Sequence, residues 1–127
     1  DNAVITFQRA YAYAPWDKNP GVAVTLLIEN RGDTELIIPS HEIVFNRFPP
    51  EKRSKGNDIS PVLVTVEPGI ERDGVWILPQ NTTAKVHLVF RSPARTPGYL
   101  TLHTKPADAA EEKVFTFKIT RIPPTNS

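Results

Sequence analysis

Apolar and polar residues alternate by two along most of this chain, and nowhere does a helical period of 3.6 persist for three turns. Val22, Val24, Leu26 and Ile28 interleave with Ala23, Thr25, Leu27 and Glu29. Val86, Leu88 and Phe90 interleave with Lys85, His87 and Arg91, and Phe115, Phe117 and Ile119 with Thr116, Lys118 and Thr120. Successive side chains of a strand point to opposite faces, so each segment offers one face to a core and the other to water. A fold made of such segments must be a layered β structure.

Turn signals punctuate the alternation. Thirteen of the 127 residues are proline, about twice the average usage of roughly 5%. Proline breaks helices and central strands but suits turns and edges. Segments at Val4–Tyr13, Val22–Glu29, Leu36–Ile38, Ile43–Phe48, Val62–Val66, Gly74–Leu78, Val86–Phe90, Tyr99–Thr104 and Phe115–Ile119 read as short strands, within a sandwich of about seven to nine. In the first, Ile5, Phe7, Tyr11 and Tyr13 share a face that Arg9 interrupts, the mark of a bulge or a change of partner. The expected fold is all-β, an immunoglobulin-like sandwich of two antiparallel sheets. Residues 1–122 make one domain and residues 123–127 a frayed tail.

Composition narrows the function classes. With 39% hydrophobic and 23% charged residues the chain is ordinary globular material, and its net charge of +1 argues against a nucleic-acid surface. The absence of cysteine excludes disulfides and thiolate zinc sites. No apolar run approaches the ~20 residues of a membrane helix. The chain opens on Asp1, contains no methionine and enters its first alternating segment at once. That is the expectation for a mature domain from which a leader has been removed.

The run Val24-Thr25-Leu26-Leu27-Ile28-Glu29-Asn30-x-Gly-Asp-Thr-x-Leu36, the later Val66-Glu67-Pro68-Gly69 turn and the Val86–Phe90 strand carry a resemblance. Together they resemble the strand grammar of bacterial extracytoplasmic immunoglobulin-like domains. The resemblance implies an accessory or assembly domain of a secreted, periplasmic or surface protein, with no catalytic residues. Antibody-type kinship is not implied, because the cysteine pair is missing.

Chemistry-bearing motifs are few. No G-x-S-x-G, Walker glycine run or H-E-x-x-H is present. Ser40 and His41 are sequence neighbours and would face opposite ways on a strand. His87 and His103 fall in different strands that could be neighbours, and no carboxylate stands at a supporting i±2 position, so neither a metal nor any other cofactor is expected. Glu111-Glu112 lie in a loop, and Asp73 lies in a turn. Arg31-Gly32-Asp33 sits in a tight turn, where glycine and aspartate are favoured on backbone grounds whether or not a receptor reads them. Asn81-Thr82-Thr83 is a glycosylation acceptor pattern. Lys52, Arg53 and Lys55 form a solvated basic loop that could touch an acidic partner. Trp16 with Tyr11 and Tyr13 could form a platform for sugar rings, while Trp76 reads as core.

The sequence therefore describes a non-catalytic binding or assembly domain whose partner is another protein, neither nucleic acid nor an inserted membrane. A protein contact would use an exposed sheet edge, where unpaired backbone groups accept a strand. The alternatives are a carbohydrate-binding module and an inhibitor-like module presenting Phe48-Pro49-Pro50.

Overall fold

The structure is a computed structural model and describes residues 3–13, 21–52, 55–91, 97–120 and 122, with Tyr13 and Lys55 by backbone alone. Among these residues lie ten strands: β1 (Ala3–Tyr13), β2 (Gly21–Asn30), β3 (Leu36–Pro39), β4 (Val44–Asn46), β5 (Pro61–Glu67), β6 (Ile70–Arg72), β7 (Val75–Leu78), β8 (Thr82–Phe90), β9 (Gly98–Pro106) and β10 (Lys113–Ile119). They form two antiparallel sheets. One has the order β1-β2-β8-β5; the other runs β10-β9-β3-β7-β6, with β4 also paired to β9. The all-β sandwich expected from alternation is the fold observed.

The alternating segments bury the faces their spacing demands. Val22, Val24, Leu26 and Ile28 of β2 and Ala84, Val86, Leu88 and Phe90 of β8 meet Leu36, Ile38, Phe45, Leu78, Leu100 and Leu102 from the other sheet. Ile122, past the last strand, joins the same cluster. Trp76 packs against this core from its rim, as expected. Residues 123–127 lie outside the described residues.

The first strand departs from its expected faces. The register against β2 shifts between Phe7 and Arg9, so the bulge foreshadowed by Arg9 is real. An extra residue swaps the faces beyond it. Ala10 and Ala12 therefore turn to the core, and Tyr11 moves to the outer face, away from the Ile5 and Phe7 side. Strand β7 matches the segment expected at Gly74–Leu78, whereas β6 is an addition: Ile70, Glu71 and Arg72 are all exposed and carry no alternation to read. The Asp73-Gly74 turn between them has φ of 53° and 79°, the two left-handed positions of a type I′ hairpin.

One interruption shapes the outer face of the larger sheet. β3 pairs with Lys105 and Pro106 of β9, and β4 pairs with Tyr99 to Thr101. Between them Pro39 ends the first stretch, and Ser40–Glu42 form a 3-10 turn, closed by the Ile43 N–H donating to the Ser40 carbonyl at 3.1 Å. The chain thus leaves β9 opposite Leu102 to Thr104 and returns.

Candidate functional site

The two edges of the sandwich differ. At one edge β1 and β10 come together, and the rings of Phe7 and Phe117 pack 6.2 Å apart. At the other, β5 ends the smaller sheet and β6 ends the larger, joined only by Pro68 and Gly69. Of the four large apolar side chains exposed among the described residues, three lie here: Val62 (53%), Leu63 (46%) and Ile70 (51%). The register of β5 slips between Pro61 and Leu63, and the exposed Val62 falls at that irregularity. On the larger sheet Ile70 pairs with Ile77 and Ile77 with Ile37, whereas Leu63 pairs with Val89 on the smaller sheet. Ile37 and Ile77 face outward, since their neighbours Leu36, Ile38 and Leu78 are buried.

On the outer face of the larger sheet a second constellation forms. His103 projects outward from β9, between the buried Leu102 and Thr104. Its Nδ1 lies 3.2 Å from Glu112 Oε1 and 3.7 Å from Glu42 Oε1. Glu42 comes from the 3-10 turn that leaves β9, and Glu112 from the end of the β9–β10 loop. That loop is anchored by Lys105 Nζ donating to the Ala109 carbonyl at 2.8 Å and by the Ala107 N–H donating to the Glu35 carbonyl at 2.9 Å. As expected, no carboxylate stands at i±2 of His103 on its own strand; its carboxylates converge instead from other elements. His87 belongs to β8 in the opposite sheet, so the two histidines are not neighbours.

The described residues among those singled out by sequence lie on separate elements. Arg31 is exposed and its guanidinium meets Glu29 at 3.1 Å, while Asp33 is exposed and Gly32 buried. The loop they occupy is held by Asn30, whose Nδ2 donates to the carbonyls of Thr34, Leu78 and Pro79 and whose Oδ1 accepts from the Gly32 N–H. Tyr11 is half-buried beside Arg9, whose guanidinium lies 5.5 Å from the ring centroid. Lys52 is exposed at the end of a 3-10 turn over Pro50–Lys52. Trp16, Arg53 and the side chains of Tyr13 and Lys55 lie outside the described residues. Phe48 is half-buried under the Arg47 guanidinium at 4.9 Å, and its N–H donates to Asn46 Oδ1. Asn81 is exposed in a turn at φ 54°.

No family model matches the sequence. No curated protein matches it either. A solved structure titled "apo PmoF2 PCuAC domain" is similar, with a TM-score of 0.51 and 15% identity over 99% of this chain and 94% of that one. The likeness is one of fold. It spans nearly both chains, so the sandwich is shared as a whole rather than as a few strands.

Sequence reasoning missed the edge patch and Glu42. Val62 and Leu63 were legible as apolar strand residues, but that both stand exposed depends on the register slip between Pro61 and Leu63. Glu42 carried no signal, because its role depends on a detour seen only when β3 and β4 share one partner strand.

Proposed function

We propose that this chain is a non-catalytic binding domain that takes a partner protein along the β5–β6 edge. The observation that carries this reading is that Val62, Leu63 and Ile70, three of the four large apolar side chains exposed among the described residues, lie on β5 and β6, the strands that end the two sheets at this edge. The opposite edge is closed by aromatic packing. An open strand edge supplies backbone donors and acceptors, and adjacent apolar side chains supply burial when a strand or loop docks. The same reading carries an extracytoplasmic setting, supported by the strand grammar shared with bacterial extracytoplasmic sandwiches. No helix among the described residues is long and apolar enough to cross a membrane.

A photo-crosslinking residue at Leu63 or Ile70, expressed in the source cell, should give a discrete adduct with one protein. The same residue at Thr116 on the closed edge should not. A Val62→Lys/Leu63→Glu variant that keeps its melting temperature should lose the partner. Adducts formed equally at Thr116, or an undiminished partner in the double variant, would sink the edge reading.

A further inference from the structure

The cluster on the outer face of the larger sheet supports an inference independent of the edge. We propose that Glu42, His103 and Glu112 form a binding site for a single divalent transition-metal cation, with Zn2+ as the type. Three observations converge on it. The first is geometry. One atom from each residue lies within 4.8 Å of the others, and His103 Nδ1 stands 3.2 Å and 3.7 Å from the two carboxylates. Donors held at about 2.1 Å by a tetrahedral ion stand about 3.4 Å apart, and the two measured separations bracket that value.

The second observation is an unsatisfied atom. Glu42 Oε1 is buried and has no hydrogen-bond partner among the described residues. Its approach to His103 Nδ1, at 3.7 Å, is too long for a hydrogen bond. The Nδ1 position offers one proton at most, and Glu112 Oε1 is the nearer acceptor at 3.2 Å. A buried carboxylate oxygen without a donor is costly. A cation between the three atoms satisfies both carboxylates and the ring nitrogen at once.

The third is placement. The gap in β9 pairing brings Glu42 over His103 from one side, and the anchored β9–β10 loop brings Glu112 from the other. The ligands thus come from three separate backbone elements, two of them fixed by hydrogen bonds. The donor chemistry selects the ion. An imidazole with two carboxylates suits borderline divalent ions, whereas hard Mg2+ or Ca2+ prefer all-oxygen sets. With no cysteine and no methionine in 127 residues, soft monovalent copper finds no sulfur donor here. Three protein ligands leave at least one position for water or an external group, on a face where Glu112 is exposed.

The test uses tag-free protein and the metal alone. Titration of the metal-stripped chain with Zn2+ by calorimetry should give one site per chain, and Co2+ should give the visible bands of a low-coordinate site. Zinc should raise the melting temperature and shift the His103 ring nitrogens in NMR. His103→Gln should weaken binding at least a hundredfold, and Glu112→Gln and Glu42→Gln at least tenfold each. His41→Gln and His87→Gln should leave it unchanged. Should His103→Gln fail to fold, the exposed Glu112→Gln variant decides the matter alone. Binding that is absent, that exceeds one ion per chain, or that survives Glu112→Gln undiminished overturns the site.

Discussion

Asn30 shows how much one short side chain fixes. It is buried, and its amide joins the β2–β3 loop to the end of β7 through three carbonyls, while its oxygen caps the Gly32 N–H. The Asn-x-Gly spelling at the end of β2 is therefore a structural device, and the exposed Arg31 and Asp33 are free of that duty. Asn30→Ala should cost about 2–4 kcal/mol in urea unfolding, because buried carbonyls and an N–H lose their partner together. Asn30→Asp should cost no less, since a carboxylate cannot donate to the three carbonyls; a loss under about 0.5 kcal/mol in either would refute this role. His87 offers a second residue-scale expectation. Burial first, then Lys85 and then Arg9, hold its pKa below the ordinary 6.5. As pH falls below 6.5 the unfolded chain takes up a proton that the folded one resists, so this residue subtracts stability on acidification. The drop in unfolding midpoint between pH 7.5 and 5.5 should be smaller in His87→Gln than in the parent. An equal drop in both would show that burial and the two cations leave this imidazole's proton affinity untouched.

At the scale of the element, legibility followed periodicity. The strands β2, β8 and β10 were readable because apolar residues recur at every second position through most of each. β1 was readable until its bulge, after which a single inserted residue reversed the face of Tyr11. β6 was not readable: three exposed residues stand in strand conformation only because β7 pairs with them and the Asp73-Gly74 turn folds them back. The same limit governs the metal-site candidate. His103 was visible as a histidine on a half-buried strand, but Glu42 and Glu112 lie 61 and 9 positions away. Their approach is set by where two other strands leave and rejoin β9, a fact of pairing rather than of spacing. The outer-face stripe of Ile37, Ile77 and Ile70 was hidden likewise, since cross-strand register decides which apolar residues are neighbours.

Across the whole molecule the asymmetry of the two edges is the organising fact. A sandwich of open sheets has four terminal strands, and each is a liability unless covered. Here β1 and β10 cover one another through Phe7 and Phe117, whose rings meet at an interplanar angle of 30°, while β5 and β6 leave apolar side chains in water. The sequence did not reveal this division, because it arises from which strands end up terminal in each sheet. It predicts where stability and binding reside. Phe7→Ala and Phe117→Ala should each cost roughly 1–3 kcal/mol, since both rings are half-buried against the core. A double-mutant cycle should return a coupling of about 0.5–1.5 kcal/mol, the range for an aromatic pair beyond area burial. Leu63→Ala at the open edge should change stability by less than about 0.5 kcal/mol, as expected of a side chain left nearly half in solvent. Chemical denaturation of the four variants measures all of these at once. Additive losses for the two phenylalanines would mean that the closed edge is not held by their contact. A large loss at Leu63 would mean that the open edge is already serving the fold and is not free for a partner.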